Sequence, residues 1–152
     1  MIRSAEGAVD LREVRRLLEQ FAASVDVGLD SEGFRDELAA LPGAYAPPDG
    51  RLLICEEDGA VAGCIALCNL GGGTGELRRL WVGPLFRGRG LGRALTEEGL
   101  REARKIGYTR VRLHTHPSML SARAVYEGLG FYPIEPYAAV PASGAVFMER
   151  EL

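Results

Sequence analysis

Apolar residues recur along the chain with two different periods, and each period predicts a type of secondary structure. From Leu11 to Val25 they stand three and four residues apart, which is the spacing of one face of an amphipathic helix. Asp10 stands where its carboxylate can cap the beginning of this helix. The short apolar stretch before Asp10 predicts a first strand.

A second, shorter helix is predicted next. Phe34, Leu38 and Leu41 lie on one of its faces, and Asp30 or Ser31 can cap it. The Pro-Gly pair after Leu41 ends it, because proline cannot continue a helix. Both predicted helices therefore precede the strand-rich middle of the chain.

Two apolar runs then surround a turn signal. Arg51 to Glu56 and Val61 to Cys68 flank Asp58-Gly59, a dipeptide typical of two-residue hairpin turns, so the two runs should pair antiparallel. Residues 69–75 include four glycines, which predict a flexible loop. Glu76 to Val82 then predicts a further strand.

The second half of the chain returns to the helical period. Residues 90–105 predict a helix that Gly107 caps, and Gly99 in its interior indicates close packing there. A strand over Thr109–Thr115 is followed by a helix from Ser118, its predicted cap, through Leu129. Two last strands are predicted at 131–137 and 145–149. The order strand, two helices, three strands, helix, strand, helix and two strands is that of an α/β domain with a mixed sheet.

Composition narrows the class of protein. With 152 residues, 47% apolar and 26% charged, the chain is expected to form one globular domain over residues 1–152 and not a disordered segment. No apolar run approaches the roughly 18 residues of a membrane helix, and the first ten residues lack the core of a signal peptide. We therefore expect a cytoplasmic protein with no membrane partner.

The cysteines and histidines do not indicate a metal or a disulfide framework. Cys55, Cys64 and Cys68 are odd in number and lack a CxxC spacing, so we interpret them as core residues. His114 and His116 share a strand face, but a third ligand is missing, and no metal is expected.

The charge is distributed unevenly. Residues 76–112 contain ten basic and four acidic residues, whereas the rest of the chain carries a formal charge of −9. A basic middle favours an anionic ligand, although charged residues also populate ordinary solvated faces. The pI of about 5.5 disfavours nucleic acid as a partner.

The most informative segment is the glycine-rich turn from Val82 to Arg93, where a strand ends and a helix begins. The first N–H groups of a helix lack internal partners, and three glycines would let an anion approach them closely. Three arginines of the turn can add charge-assisted hydrogen bonds. The glycines match neither the P-loop nor the dinucleotide fingerprint, and a purely structural strand-to-helix turn remains an alternative.

Two motifs of the chain resemble those of the GNAT superfamily of N-acetyltransferases. Arg87-Gly88-Arg89-Gly90-Leu91-Gly92 is similar to the acetyl-coenzyme A motif of that family, Arg/Gln-x-x-Gly-x-Gly/Ala. The segment from Ala122 to Phe131 resembles its Ala-x-x-x-Tyr-x-x-x-Gly-Phe motif. The resemblance implies the GNAT fold, a mixed, mostly antiparallel, twisted sheet flanked by about four helices. It also implies acetyl-CoA as acyl donor, without a metal.

The resemblance further implies site residues. The implied cofactor-binding residues are Leu80, Trp81, Val82, Arg87, Gly88, Arg89, Gly90, Leu91, Gly92 and Arg93. Glu76 corresponds to a glutamate that serves as general base in several GNAT enzymes; alternatively, it is a solvent-facing residue paired with Arg78 or Arg112. Tyr126 aligns with the family's general acid; alternatively, it packs in the core with its hydroxyl bonded to backbone.

One departure from the family pattern concerns residue 119. Many GNAT members have Asn there, and this chain has Met119. We expect direct acetyl transfer to an amine of a small molecule or peptide; the alternative is a non-catalytic CoA-binding or sensory module. Acidic residues around the second helix favour a cationic acceptor such as a polyamine, an aminoglycoside or a protein amine. A homodimer that pairs through residues 144–148 is a further possibility.

Overall fold

The computed structural model describes residues 1–24, 32–139 and 144–152. Its seven strands are β1 (Ile2–Ser4), β2 (Arg51–Glu57), β3 (Ala60–Gly71), β4 (Thr74–Val82), β5 (Arg110–Thr115), β6 (Tyr132–Ile134) and β7 (Val146–Glu151). The α-helices are α1 (Gly7–Ser24), α2 (Glu32–Ala40), α3 (Leu91–Ile106) and α4 (Leu120–Gly128). The predicted order of elements and the mixed α/β class are thereby confirmed.

All seven strands form one sheet in the order β1-β2-β3-β4-β5-β7-β6. Neighbouring strands are antiparallel except β4 and β5, which are parallel and pair only from Thr74–Glu76 to Arg110–Arg112. Beyond Glu76, β4 therefore keeps β3 as its ladder partner, while β5 pairs with β7. The two parallel strands separate at this point, and the separation places the candidate site.

A bulge in β4 accompanies the separation. The register with β3 shifts between Cys64 and Ala66, which pair with Trp81 and Arg78, and Arg79 has a positive φ of 60°. An extra residue on one strand turns its side chains relative to the partner strand. Leu77 and Leu80, which are three residues apart, consequently pack in the same core cluster, and Trp81 packs in the other.

Each face of the sheet has its own apolar core, because alternate strand residues point to opposite sides. Leu53, Ile65 and Leu77 pack with Leu95 and Leu100 of α3 on one face. The opposite face packs against α1 and α2, and its cluster includes Val14, Leu17, Phe34, Leu38, Ile54, Cys64, Cys68 and Trp81. Cys55, Cys64 and Cys68 are buried and free, which confirms their interpretation as core residues.

Several glycine predictions are confirmed. Asp58 and Gly59 both have positive φ and form the tight turn between β2 and β3. Gly107 caps α3 in the left-handed conformation. A Cβ at Gly99 would lie 2.8 Å from Leu77 Cδ2, so α3 approaches β4 closely at this glycine, as predicted.

Three local predictions are wrong. Asp10 is not the cap of α1, which begins at Gly7; its carboxylate instead accepts the Glu6 N–H at 2.8 Å and pairs with Arg3. The loop predicted over 69–75 is a tight hairpin, because β3 extends through Gly71 and β4 begins at Thr74. Ser118 does not cap α4, since Met119 occupies the cap position and the Ser118 hydroxyl bonds His116.

The ends of the chain differ from the predictions in smaller ways. The strand predicted at 131–137 is only three residues long, and β7 extends to Glu151. β7 lies between β5 and β6, so the edge strands of the sheet are β1 and β6 and not the strand over 144–148 predicted to pair two subunits. Val25, Asp30 and Ser31 lie outside the described residues. Within the described ranges, no helix is long and apolar enough to cross a bilayer.

Candidate active site

A cavity of about 470 Å³ opens between the end of β4, the beginning of α3 and the beginning of α4. It lies where β4 and β5 have separated, so the sheet leaves a gap that no strand fills. Its lining residues are Ser24, Leu80, Trp81, Val82, Phe86, Arg87, Gly88, Gly90, Leu91, Gly92, Arg93, Ser118, Met119, Leu120, Ser121, Ala122 and Val125. Nine of the ten sequence-predicted cofactor residues are among them.

The beginning of α3 gives this cavity an anion-binding character. Gly90 precedes the helix in a left-handed conformation, with φ of 77°, and no side chain caps the first N–H groups. Gly88 also has a positive φ, of 81°. Uncapped N–H groups and the helix dipole both favour a negatively charged ligand at this position. The turn therefore has the properties expected of a diphosphate site.

The three arginines of the turn have different environments. Arg87 donates from Nε to the Val82 carbonyl at 3.1 Å, and its guanidinium lies 4.6 Å from the centre of the Trp81 ring. Arg93 lines the cavity and pairs with Glu97 at 2.8 Å. Arg89 does not line it; its guanidinium pairs with Asp58 at 3.0 Å. Arg87 and Arg93 are therefore the arginines that the structure brings to the cavity.

Trp81 is held by α1. Its indole Nε1 donates to the Gln20 carboxamide at 3.2 Å, and its ring meets Phe21 edge to face at 5.4 Å. The Arg87 guanidinium in turn lies over the Trp81 ring. The contacts of α1 with Trp81 therefore help to fix one wall of the cavity, although Ser24 is the one α1 residue in its lining.

Glu76 lies near the beginning of β4, on the face of the sheet that packs against α1 and α2. Its carboxylate accepts hydrogen bonds from Arg78 Nε and, at 2.6 Å, from the Tyr137 hydroxyl. The Cys68 thiol lies 3.8 Å from it, and burial raises the pKa of that thiol to about 11. Glu76 is buried, so the expected alternative of a solvent-facing residue is wrong, although its pairing with Arg78 is confirmed.

A second ion pair stands beside this carboxylate. Arg79 donates from two nitrogens to the two Glu37 oxygens, each at 2.8 Å, and the Tyr45 hydroxyl donates to Glu37 at 2.9 Å. Burial acts to raise the pKa of Glu37, but the Arg79 guanidinium outweighs it and holds that pKa below its ordinary value. Burial and the Glu37 charge raise the pKa of Tyr45 to about 12.

His114 is a further polar residue near Glu76, Arg78 and Arg79. Its ring packs against Phe147 at 5.3 Å, and burial, with the nearby charges of Arg78 and Arg79, lowers its pKa. The imidazole is therefore neutral at neutral pH. His116 lies beyond the end of β5, where its Nδ1 is 2.6 Å from the Ser118 hydroxyl and accepts the Ser118 N–H. Across the three described ranges, no group of three His, Cys, Asp or Glu side chains could hold a metal ion.

Tyr126 is buried on α4, on the opposite side of the sheet from Glu76. It packs edge to face against Phe131 at 5.8 Å. Burial raises its pKa, so the phenol keeps its proton. Its place in the core agrees with the core packing of the alternative interpretation, and the general-acid role stays a prediction. Ala122 and Val125 of the same helix line the cavity.

The sequence analysis missed several features of this site. Tyr137 reaches the Glu76 carboxylate from a distant part of the chain, and no local pattern marks it. Glu37 belongs to the acidic residues near the second helix, but its pairing with Arg79 was not predicted. Ala122 and Val125 belong to the motif from Ala122 to Phe131, and they could have been identified as lining residues because the motif itself was found.

Comparisons with known proteins agree with this geometry. A family model described as the acetyltransferase (GNAT) family matches residues 13–131. A protein of Schizosaccharomyces pombe named as an uncharacterised N-acetyltransferase is 34% identical over 145 residues, which cover 94% of this chain and 89% of that protein.

Solved structures share the fold at lower sequence identity. An acetyltransferase from Streptococcus agalactiae superimposes with a TM-score of 0.83 at 24% identity, covering 100% of this chain and 98% of that one. A Salmonella typhimurium protein proposed to be an acetyltransferase was solved with its cofactor acetyl-CoA; it has a TM-score of 0.77 at 20% identity, over 99% of this chain and 92% of the other. These similarities confirm the fold that the sequence motifs imply.

Proposed function

The chain belongs to the acetyltransferase (GNAT) family, and we propose that residues 1–152 form a single domain that transfers an acetyl group from acetyl-CoA to an amine. The observation that carries this proposal is the cavity of about 470 Å³, which joins an uncapped helix beginning to an apolar gap in the sheet. A charged diphosphate and a narrow pantetheine chain need these two environments next to each other.

The donor would lie along the cavity with its phosphates at the glycine-rich turn. Gly88 and Gly90 let the phosphates approach the backbone, and Arg87 and Arg93 add positive charge. The pantetheine arm would follow the unpaired side of β4 at Leu80, Trp81 and Val82. A backbone N–H of this strand would polarise the thioester carbonyl as an oxyanion-hole donor does.

The acceptor must lose a proton before it attacks. A lysine-like amine has a pKa near 10.4, so freeing it at neutral pH costs about 4.6 kcal/mol, and a general base reduces this barrier. We assign that role to Glu76. The neutral nitrogen would then attack the acetyl carbon directly, without an acyl-enzyme intermediate.

Tyr126 is assigned as the general acid. When the C–S bond breaks, the coenzyme A thiolate would take the phenolic proton, and Tyr126 would recover a proton from the nitrogen of the new amide. A buried hydroxyl that keeps its proton, on the helix that lines the cavity with Ala122 and Val125, supports this assignment.

A cationic acceptor is the class that the acidic residues around α2 favour. One of them, Glu37, is already paired with Arg79 and bonded by Tyr45, so it does not by itself supply a free charge for the acceptor. The acceptor class therefore has to be found by assay, and the panel should contain spermidine, kanamycin, free amino acids and a peptide with one internal lysine.

Two measurements test the proposal. Calorimetric titration with acetyl-CoA, coenzyme A and ATP in parallel should show micromolar binding of both coenzyme A species and none of ATP. Thiol release from acetyl-CoA should then rise with one member of the acceptor panel. Binding without release for any acceptor would favour a non-catalytic coenzyme A-binding module, and absent coenzyme A binding would overturn the donor site.

A further inference from the structure

We propose that Tyr137 is a catalytic residue that relays a proton from the acceptor amine to Glu76. This inference rests on the proposed function, because it takes Glu76 as the final base. Sequence motifs do not single out Tyr137, which follows β6 in the connection to β7.

The enclosure of Glu76 is the first observation behind the relay. Its side chain is only 2% exposed, and it does not line the described cavity. One carboxylate oxygen is engaged by Arg78 and lies near the Cys68 thiol, and the other accepts the Tyr137 hydroxyl at 2.6 Å. An acceptor amine therefore cannot touch the carboxylate while these contacts persist.

Tyr137 is a hydrogen-bond partner through which the Glu76 carboxylate could exchange a proton with solvent or substrate. Unlike Glu76, it is partly exposed. Its ring is held edge to face by Phe147 at 5.1 Å, and the Arg112 guanidinium lies over it at 5.5 Å. Its hydroxyl proton points to Glu76, so the oxygen lone pairs remain to accept an N–H from an incoming amine.

The face that Tyr137 shares with Glu76 is continuous with the acetyl donor site. Cys68, which touches Glu76, belongs to the same apolar cluster as Trp81 and Met119. Trp81 and Met119 also line the cavity. An amine that approaches the acetyl group from the α1 and α2 face would therefore lie on the same side of the sheet as the Tyr137 hydroxyl.

The relay balances as two coupled proton transfers. An N–H bond of the ammonium breaks as an O–H bond forms at the Tyr137 oxygen, and the original phenolic proton moves to the Glu76 oxygen that it already contacts. The products are a neutral amine, a neutral Tyr137 and a protonated Glu76. Burial and the Glu76 contact raise the pKa of Tyr137, so the two transfers occur together without a free phenolate.

A set of four variants tests the relay: Glu76→Gln, Tyr137→Phe, the double variant, and Tyr132→Phe as control. Tyr132 donates to Glu149 at 2.8 Å, so its variant loses a similar tyrosine-to-glutamate bond outside the site. Each enzyme is assayed with the best alkylamine of the acceptor panel and with hydroxylamine, which is already unprotonated at neutral pH.

With the alkylamine, we expect Glu76→Gln and Tyr137→Phe each to lower kcat by about 10²-fold, the scale of general base catalysis. The double variant should be no slower than Glu76→Gln, because both residues act in one transfer. Transfer to hydroxylamine and the affinity for acetyl-CoA should stay within about twofold of wild type, and Tyr132→Phe should match wild type throughout.

Three results would overturn the relay: a wild-type kcat for Tyr137→Phe, losses that multiply in the double variant, or an equal loss with hydroxylamine. A fully active Glu76→Gln would show that Glu76 is not the base, and it would overturn the assigned mechanism together with the relay. Failure of the relay alone would instead leave Glu76→Gln slow and Tyr137→Phe fully active. If Tyr137→Phe folds poorly, 3,5-difluorotyrosine at position 137 preserves the shape. It should then alter the alkylamine rate alone, and an equal change with both acceptors would reject the proposal.

Discussion

The side proposed to bind the donor, from Leu80 to Arg93, is made mainly from consecutive backbone, whereas the side proposed to bind the acceptor, around Glu76, is made from side chains that are distant in the sequence. We refer to them as the donor side and the acceptor side. On the donor side, an open cavity meets uncapped N–H groups at the beginning of α3. On the acceptor side, Glu76 bonds Tyr137, 61 residues away, and Glu37 bonds Arg79, 42 residues away.

This difference bears on how each side can bind a ligand. On the donor side, the uncapped N–H groups of α3 can bind an anion without first losing a side-chain cap, so little free energy is lost there on binding. On the acceptor side, Glu37 and Glu76 already have partners, and a substrate must either displace them or act through them. The first arrangement suits a cosubstrate shared by a whole family, and the second suits selectivity.

The largest expected effect comes from Tyr126, which stands on the helix beside the cavity. Tyr126→Phe should lower kcat by about 10²-fold while acetyl-CoA affinity stays unchanged, since the variant keeps the ring that packs against Phe131. Tyr108→Phe provides the reverse control, because Tyr108 donates to the Asp49 carbonyl at 2.6 Å and should affect stability alone. Equal kcat for the two variants would contradict the acid role.

Removing one arginine charge on each side tests whether the ion pairs of the acceptor side contribute more to the free energy of unfolding than those of the donor side. Arg79→Met should lower the free energy of unfolding by about 2 kcal/mol, because it leaves the half-buried Glu37 without its main partner. Arg93→Met removes an exposed pair with Glu97 on the donor side and should change it by less than about 0.5 kcal/mol. Urea denaturation measures both, and similar losses would refute the contrast.

The effect of Arg79 should also depend on pH. Arg79 holds the pKa of Glu37 below its ordinary value of 4.5, so the pair contributes stability above that value and loses it as the pH falls through the folded pKa. The difference in unfolding free energy between wild type and Arg79→Met should therefore shrink in acid. A difference that grows in acid would show that the ion pair is not its source.

A smaller effect separates two arginines that the sequence motif treats alike. Arg87→Ala should weaken acetyl-CoA binding about tenfold, because Arg87 lines the cavity and the variant loses its charge-assisted contact with the ligand. Arg89→Ala should leave the Kd nearly unchanged, because Arg89 pairs with Asp58 away from the cavity. Calorimetry of the two variants decides this, and a larger loss for Arg89→Ala would mean that the turn rearranges on binding.

The smallest expected effect concerns two glycines of the turn. Gly90→Ala should destabilise the protein by about 1 kcal/mol, since φ of 77° disfavours a Cβ even though no atom lies within 4 Å of it. Gly92→Ala, where the added Cβ would make ordinary contacts with Leu80 and Val82, should be neutral. Thermal unfolding compares them, and equal Tm values would contradict a conformational role for Gly90.

Much of the donor side could be predicted because its signals are local. The glycine-rich turn, the helix of residues 90–105 and the cap at Gly107 follow from residues within one or two turns of each other. The wrong local predictions, at Asp10 and Ser118, fail because a tertiary or neighbouring partner claims the side chain: Arg3 and Glu6 for Asp10, and His116 for Ser118.

The sequence by itself determined the order of elements, the hairpin at Asp58-Gly59 and the anion-binding character of the turn, because hydrophobic period, turn chemistry and helix ends depend on nearby residues. The tertiary structure decided that Glu76 is buried and that Tyr137 covers it. Both depend on the order of β4, β5 and β7 in the sheet, and on the separation of β4 from β5 after Glu76. Contacts across 61 residues arise from sheet order and packing, which no local pattern in the chain specifies.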